Sequence, residues 1–218
     1  MLNQPDDILY YILGAFITDG CITRNGKYSW TCSLISQDLD WMKLIRDLIC
    51  PDLDVKNYNN GGNVLCITNK TIGEWFIEHN CVPRKSMIAE IPNMPKEYMS
   101  DFLRGCWDGD GCISSYTKKN GKITYSSYLC SASHILLEKA STFLKENDIA
   151  CSICEVNKKS CQINGRDVIP QNPHYRLCLG SRATYQLVGL LYYPNHKISM
   201  PRKLQKANEV ITHYQNLA

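Results

Sequence analysis

The 218-residue sequence predicts an α+β protein built from two pseudo-symmetric halves, each with the element order αββαββα. The main observation is an internal repeat. Asp19-Gly20-Cys21-Ile22 recurs 91 positions later as Asp110-Gly111-Cys112-Ile113. Each copy follows an apolar stretch of helical length and precedes segments in which apolar and polar residues alternate, the pattern of half-buried strands. The sequence therefore predicts one structural unit that is used twice, with the two apolar helices paired at the interface.

The other elements follow in the same order in both halves. We predict an N-terminal half at residues 1–85, a linker at 86–97 and a C-terminal half at 98–218, with an insertion near 157–174 in the second copy. Asn25-Gly26 and Asn120-Gly121 are hairpin turn signals at equivalent places. The predicted strands and helices that follow the turns are Lys27–Leu34, Asp38–Ile49 and Lys70–Ile77 in the first half, and Lys122–Leu129, Ser133–Leu144 and Arg182–Leu191 in the second.

The composition bounds the class of protein. Hydrophobic residues make up 44% of the chain and charged residues 21%, as in ordinary globular proteins. No apolar run reaches the roughly 18 residues of a membrane span, and the N-terminus lacks the features of a signal peptide. Twelve cysteines are scattered through apolar segments, which favours a reduced intracellular protein of the cytoplasm or an organellar matrix. Residues 101–218 contain 15 basic and 9 acidic residues, a surplus that indicates a polyanionic partner.

Small residues recur four positions apart in both apolar helices. They are Gly14 and Thr18 in the first helix, and Gly105 and Gly109 in the second. This spacing lets two helix backbones approach closely when the helices pack on each other. The sequence therefore predicts a close parallel helix pair in the core.

The ends of these helices predict a metal site. Gly20 and Gly111 are expected to stop the helices in the left-handed conformation that glycine adopts readily. Parallel packing then places Asp19 and Asp110 side by side, where they repel each other and face the negative ends of two helix dipoles. A divalent cation with hard oxygen ligands, such as Mg²⁺ completed by a substrate phosphate, would relieve that repulsion.

The two segments resemble the paired LAGLIDADG motifs of homing endonucleases, and the resemblance extends over nearly the whole chain. It implies that the motif helices form a pseudo-twofold interface and that two saddle-like antiparallel sheets lie in the DNA major groove. It also implies that Asp19 and Asp110 bind the catalytic metal, Mg²⁺ or another divalent cation such as Mn²⁺ or Ca²⁺. The implied activity is site-specific double-strand cleavage of a long asymmetric DNA target by phosphodiester hydrolysis, performed by a monomer.

The resemblance extends to further catalytic candidates. Pro83-Arg84-Lys85 recurs as Pro201-Arg202-Lys203, and the family places such lysines, here Lys85 and Lys203, near the scissile phosphates. The alternative is a solvated basic loop, and the two arginines are candidates for phosphate contacts. Gln37 occupies the place of the family's active-site glutamine, whereas the second copy aligns Ala132 there. The family's earlier acidic position is Ile17 in one copy and Asp108 in the other, and we expect Asp108 to be a polar residue at the helix end.

Side chains on the polar faces of the predicted sheets are candidates for DNA contact. Because the two halves differ at nearly all of these positions, we expect an asymmetric target. In the first half the candidates are Arg24, Lys27, Ser29, Thr31 and Lys56, and in the second half they are Ser115, Lys118, Lys122, Thr124, Ser126 and Arg176.

Two other functions fit the same sequence. One is a maturase that binds its intron RNA, and the other is a non-catalytic DNA-binding regulator. Such a regulator would be recognised by the loss of the acidic motif residues, whereas this chain has both Asp19 and Asp110. Double-stranded DNA is the expected partner and intron RNA a possible second one, without a membrane or an obligate protein partner.

Overall fold

The structure is a computed structural model that describes residues 2–57, 62–156, 161–163, 166–168 and 173–217. The N-terminal half contains α1 (Asp6–Asp19), β1 (Gly20–Asn25), β2 (Ser29–Ser36), α2 (Leu39–Ile49), β3 (Lys56–Asn57), β4 (Asn63–Thr68) and α3 (Lys70–Glu78). Two short 3-10 helices, Lys85–Met87 and Lys96–Tyr98, lead into the C-terminal half. That half contains α4 (Met99–Asp110), β5 (Gly111–Thr117), β6 (Ile123–Ser131), α5 (His134–Glu146), β7 (Ser152–Val156), β8 (Cys161–Ile163), β9 (Arg166–Val168), β10 (His174–Leu179), α6 (Ser181–Leu191) and α7 (Pro201–Gln215).

Two four-stranded antiparallel sheets confirm the predicted fold class. Their strand orders, β1-β2-β4-β3 and β5-β6-β10-β7, are equivalent. The N-terminal half has the predicted order αββαββα. The C-terminal half adds the α7 helix and a β8–β9 hairpin, which lies in the predicted insertion near 157–174. Residues 157–160, 164–165 and 169–172 of that insertion lie outside the described residues. The division at 85 and 98 stays a prediction.

Residues that favour helix N-termini are found where the helices behind each sheet begin. The Asn69 side chain accepts a hydrogen bond from the backbone nitrogen of Ile72 at 3.0 Å and so caps α3. Ser133 caps α5 in the same way. Pro201 is the first residue of α7, where its fixed φ and missing N–H cost nothing. None of the described helices is long and apolar enough to cross a membrane.

The helices and the inner sheet faces enclose one hydrophobic core that includes both halves. Phe16 of α1 packs on Phe76 of α3 with ring centroids 4.4 Å apart. Trp107 of α4 is fully buried and donates from its indole nitrogen to the Ser127 hydroxyl at 2.9 Å. Because the core is continuous, the relative position of the two sheets depends on the packing of α1 against α4.

The close packing of α1 against α4 agrees with the glycine spacing. A Cβ atom added to Gly14 would lie 2.0 Å from the Phe102 carbonyl oxygen. One added to Gly105 would lie 2.1 Å from the Tyr11 carbonyl oxygen, in a symmetric contact. The Cys106 thiol donates to the Gly14 carbonyl oxygen at 3.6 Å. The two backbones therefore touch at positions where only hydrogen atoms fit.

The predicted left-handed helix ends are wrong. Gly20 has φ −87° and ψ 156°, and Gly111 has φ −82° and ψ 163°, so both are extended and begin β1 and β5 directly. The reason for glycine is steric. A Cβ atom at Gly20 would lie 2.5 Å from the Phe16 carbonyl oxygen, and one at Gly111 would lie 2.5 Å from the Trp107 carbonyl oxygen and ring. Each helix therefore passes into a strand at its last turn without a connecting loop.

Asp108 joins the two halves in a buried polar network. Its carboxylate accepts hydrogen bonds from the hydroxyls of Tyr11 at 2.6 Å and Tyr192 at 2.7 Å, and from the Met200 backbone nitrogen at 2.7 Å. The Trp41 indole in turn donates to the Tyr11 hydroxyl at 2.7 Å. Burial raises the pKa of Asp108, and these hydrogen bonds oppose that rise. Asp108 therefore has a structural role, as expected for its place near the helix end.

The helix contact predicts an unequal response to two glycine substitutions. Gly14→Leu should lower the free energy of unfolding by about 1–3 kcal/mol or more, because overpacking a close contact displaces the backbone of α4. Gly189→Ala in α6 is the matched control, since a Cβ atom there meets nothing within 4 Å. That change should leave stability equal or raise it by up to about 1 kcal/mol through helix propensity. Urea unfolding of both variants measures the difference, and equal stability of Gly14→Leu and wild type would contradict the backbone contact.

Candidate active site and nucleic-acid interface

Asp19 and Asp110 are the last residues of the paired helices. A Cβ atom added to Gly109 would lie 2.0 Å from the Thr18 hydroxyl and 3.3 Å from Asp19 Oδ2. The carboxylate of the first motif therefore lies against the last turn of the second motif helix, next to Asp110. The structure brings together the two acidic residues that the sequence repeat singled out.

The two carboxyl groups disfavour each other's ionisation. Burial, followed by the charge of Asp110, raises the pKa of Asp19 to about 7. Lys203, Lys85 and Arg202 oppose that rise. Burial also raises the pKa of Asp110, against the effects of Lys203, Lys85 and His174. At both carboxyl groups, burial therefore outweighs the effect of the neighbouring positive charges.

Lys85 and Lys203 are buried, with 6% and 4% of their surfaces exposed, so the interpretation as a solvated basic loop is wrong. The Lys203 ammonium donates to the carbonyl oxygens of Trp107, Asp108, Gly109 and Gly111 over distances of 2.6–3.1 Å. The Lys85 ammonium donates to the Gly20 carbonyl oxygen, which is the equivalent of Gly111 in the other half.

These contacts give the two lysines a specific electrostatic role. The carbonyls at a helix C-terminus have no partners within the helix and carry the negative end of its dipole. Each ammonium group satisfies such carbonyls and brings a positive charge next to the carboxylates. Burial is also the main reason that the pKa of Lys203 falls to about 8. The lysines thus cap the motif helices at the acidic centre.

The two arginines of the repeated Pro-Arg-Lys segments differ. Arg202 forms a two-point ion pair with Asp38, at 2.7 and 2.9 Å, and so links α7 to the N-cap residue of α2 in the other half. Arg84 is exposed and has a φ of 57°. Of the two, Arg84 is the better placed for a phosphate contact.

Gln37 and Ala132 follow β2 and β6, as the alignment of the two copies requires. Gln37 is exposed, and its backbone carbonyl accepts from Asn63 Nδ2 at 3.3 Å. Ala132 lines a cavity of about 240 Å³ beside Asp110. His174, the first residue of β10, lines the same cavity. Sequence reasoning missed His174, because it follows the insertion and only strand pairing fixes its register.

The donor set fits a divalent cation of the hard type. Among the described residues, no group of three or more histidine, cysteine, aspartate and glutamate side chains could hold a metal. Asp19 and Asp110 therefore offer two carboxylates, and water, backbone carbonyls or phosphate would complete the shell. Few protein ligands together with substrate phosphate are typical of Mg²⁺ sites.

The outer faces of both sheets are polar, and strand register decides which side chains lie there. Residues directly opposite each other in antiparallel strands share a face. Thr31 lies on the outer face, where its hydroxyl contacts Asn25 Nδ2 at 3.1 Å and the Thr68 hydroxyl at 3.2 Å. By the same register, the other predicted DNA-contact residues on the outer faces are Ser29, Lys56, Thr124, Ser126 and Arg176.

Two predicted contact residues lie on the other face, so their assignment to the outer face is wrong. Arg24 is opposite Trp30, and its guanidinium lies 4.6 Å from the Trp30 ring centroid. Ser115 is opposite Tyr125 and lines a groove against α7. In both strands, consecutive polar residues interrupt the alternation of apolar and polar side chains. The sequence therefore does not predict which of these residues lies on which face of the sheet.

Three predicted lysines lie in turns and not in strands. Lys27 belongs to the β1–β2 turn with Tyr28, whose side chain is 69% exposed. Lys118 and Lys122 lie in the turn before β6, where the Lys118 backbone nitrogen donates to the Lys122 carbonyl at 2.9 Å. Ile123, which begins β6 directly after this turn, is 39% exposed. These lysines are therefore at the tips of the hairpins.

The register also adds outer-face residues that the sequence did not indicate. These side chains are polar or aromatic and flank the predicted ones on β1 and β5. They are Thr23, Asn25, Ser114 and Tyr116, the last of which is 53% exposed.

Comparison with known proteins identifies the fold. Residues 97–182 match the LAGLIDADG-like domain family. The structure is similar to the I-LtrWI LAGLIDADG homing endonuclease bound to target DNA, with a TM-score of 0.61, 12% identity, and coverage of 97% of this chain and 91% of that chain. The C-terminal half of this chain thus matches the LAGLIDADG-like domain model, and the whole chain has the fold of the LAGLIDADG homing endonucleases. The fold implied by the resemblance of the two motifs is confirmed.

Two further LAGLIDADG structures agree. Mesophilic variants of the homing endonuclease I-DmoI give a TM-score of 0.60 at 14% identity, covering 91% of this chain and 96% of that chain. The meganuclease I-SmaMI bound to uncleavable DNA gives 0.58 at 14% identity, covering 95% and 89%. No curated protein sequence matches the chain. At these identities the structural likeness shows the fold alone, and the chemistry has to follow from the residues of this chain.

The raised pKa of Asp19 predicts how stability depends on pH without metal. The pKa rises from 3.8 to about 7, so between these values the folded protein holds a proton that the unfolded chain releases. The free energy of unfolding should therefore fall as pH rises from about 4 to about 7. Asp19→Asn should remove part of that slope and be the more stable protein at pH 7.5.

Thermal unfolding in EDTA at pH 4.5, 6.0 and 7.5 measures this effect. The control is Asp40→Asn, because Asp40 is exposed on α2 and should leave the slope of the wild type unchanged. If the melting temperature of Asp19→Asn changed with pH in parallel with that of the wild type, the ionised form of Asp19 would not be destabilised in the folded protein.

Proposed function

We propose that this protein is a site-specific double-strand DNA endonuclease that hydrolyses phosphodiester bonds with divalent cations held by Asp19 and Asp110. The observation that carries the proposal is the pair of carboxylates at the joined ends of α1 and α4, between two sheets with polar outer faces. A structural role alone would not favour two neighbouring acidic side chains whose pKa values are raised by burial.

The side chains around the centre support hydrolysis in distinct ways. A bound divalent cation would supply an activated water and stabilise the charge that develops on the phosphate. Asp19 and Asp110 would hold that cation at the end of the helix pair. Lys85 and Lys203 favour the ionised form of Asp19, which is the form that binds a cation. Structures of I-DmoI variants with target DNA were obtained in the presence of Mn or Mg, which supports a divalent cation here.

The outer sheet faces would contact the DNA. A two-stranded antiparallel ribbon fits the major groove, where each base pair presents a distinct pattern of donors and acceptors. Thr31 in one half corresponds to Ser126 in the other, and Val64 corresponds to Arg176. Because equivalent positions carry different side chains, we infer an asymmetric target. One chain contains both halves of the site, so we infer one chain per duplex.

Cleavage is tested on a plasmid library with random duplex inserts, enriched for binding in metal-free buffer. The enriched pool is incubated with Mg²⁺ or EDTA, and linear product with Mg²⁺ alone is the expected result. Protein that binds one insert tightly and never cuts it would indicate a regulator. Tight binding of intron RNA without cleavage of DNA would indicate a maturase.

The carboxylates are expected to matter for cleavage and not for binding. Asp19→Asn and Asp110→Asn should each lower the rate by more than about 100-fold, the scale of losing one group that stabilises charge in the transition state. Binding should change little, because the contacts that position DNA come from the sheets. Single-turnover cleavage and a mobility-shift titration on the enriched duplex separate these quantities, with Asp40→Asn as the control. Full activity in the double variant would show that Asp19 and Asp110 do not form the catalytic centre.

The lysines at the hairpin tips should contribute to binding through the release of counterions. If Lys27 and Lys122 each contact one phosphate, Lys27→Ala and Lys122→Ala should each lower the slope of log affinity against log salt by about 0.9. Lys145→Ala is the matched control, because Lys145 is exposed on α5, behind the sheet. Affinities measured across a range of salt concentrations give the slopes. Slopes equal to that of the wild type in both tip variants would mean that the tips do not meet DNA.

A further inference from the structure

Strand register aligns the two halves at positions where sequence alone does not. In the N-terminal sheet, Gly20 is opposite Leu34, which is opposite Leu65. In the C-terminal sheet, the same ladder consists of Gly111, Leu129 and Leu177. Both ladders begin at the glycine that follows a motif aspartate, so they fix equivalent positions relative to each carboxylate.

Counting along the strands from these ladders pairs two further positions. Gln37 corresponds to Ala132, three residues beyond the central leucine of each ladder. Gly62 corresponds to His174, three residues before the last leucine. Of these two positions, the N-terminal half has glutamine at the first, after β2, and glycine at the second, before β4. The C-terminal half has alanine at the first, after β6, and histidine at the second, at the start of β10.

The C-terminal arrangement leaves a cavity beside the carboxylate. Asp110, Ala132 and His174 line it, together with Thr18 of the other motif helix and Ser86. Its volume of about 240 Å³ exceeds the roughly 30 Å³ that a water molecule occupies in the liquid, so it has room for several. His174 also lowers the pKa of Asp110, in keeping with its place next to that carboxylate. An imidazole, like an amide, can both donate and accept hydrogen bonds in such a space.

We propose that His174 takes, in the C-terminal centre, the part that Gln37 takes in the N-terminal centre, as a residue that positions water and phosphate next to Asp110. The inference rests on the proposed endonuclease function. Its consequence is specific to this chain. The two DNA strands are cut with the help of different side chains, so that cleavage of one strand depends on His174 and cleavage of the other depends on Gln37.

The test measures the nicking of each strand separately. The substrate is the duplex enriched above, labelled at either 5′ end and cut under single-turnover conditions with Mg²⁺. His174→Ala should slow one strand by about tenfold or more, the scale of losing a residue that orients groups at a metal site. Gln37→Ala should slow the other strand to a similar extent. His213→Ala is the control, because His213 lies on α7 against Tyr125, on the helix side of the sheet.

Rescue distinguishes positioning from a structural effect. His174→Gln should restore most of the lost rate, and so should Ala132→Gln in the His174→Ala background, because each returns a polar side chain to the cavity. Equal slowing of both strands by His174→Ala, no slowing, or no rescue at an unchanged melting temperature would overturn the inference while leaving the endonuclease intact. Absence of cleavage by the wild type would instead overturn the proposed function, and this inference with it.

Discussion

The contact between the backbones of α1 and α4 is the constraint on which the rest of the structure depends. Gly14 and Gly105 let the helices approach until a Cβ atom would meet a carbonyl oxygen at about 2 Å. Such a contact leaves one register for the pair, and that register places Asp19 beside the last turn of α4. Because each helix passes directly into a strand, the same contact also sets the position of both sheets relative to the acidic centre.

A close helix pair brings two carboxyl groups together at one end, where burial outweighs the effect of the positive charges around them. The ammonium groups of Lys85 and Lys203 are held by carbonyl oxygens at the helix ends, so they act on the carboxylates from fixed positions. Burial still raises the pKa of Asp19 to about 7 and lowers that of Lys203 to about 8. A bound divalent cation would favour the ionised form of the carboxyl groups at this centre. The arrangement that the fold imposes is thus linked to the chemistry proposed for it.

Much of this could be predicted from the sequence, because the repeat gives each signal twice. The motif helices, the hairpin turns and the pairing of Asp19 with Asp110 follow from matched spacing. The face assignments of Arg24 and Ser115 failed for a physical reason. Ser114 and Ser115 are both polar, so β5 shows no alternation there, and only its pairing with β6 reveals which one faces outward. His174 follows the insertion that only the second copy carries, so only the ladder through Leu177 gives its position.

The duplication also explains how one fold can carry two different surfaces. The ladders from Gly20 and from Gly111 hold equivalent backbone positions in place, so side chains on the outer faces can differ without moving the centre. Val64 in one half is Arg176 in the other, where the guanidinium lies 4.6 Å from the ring centroid of Tyr128. The exchange of Gln37 and Gly62 for Ala132 and His174 extends the same divergence to the acidic centre. In a symmetric dimer, any change would appear in both halves, whereas a fused pair lets each half adapt to its own part of the substrate.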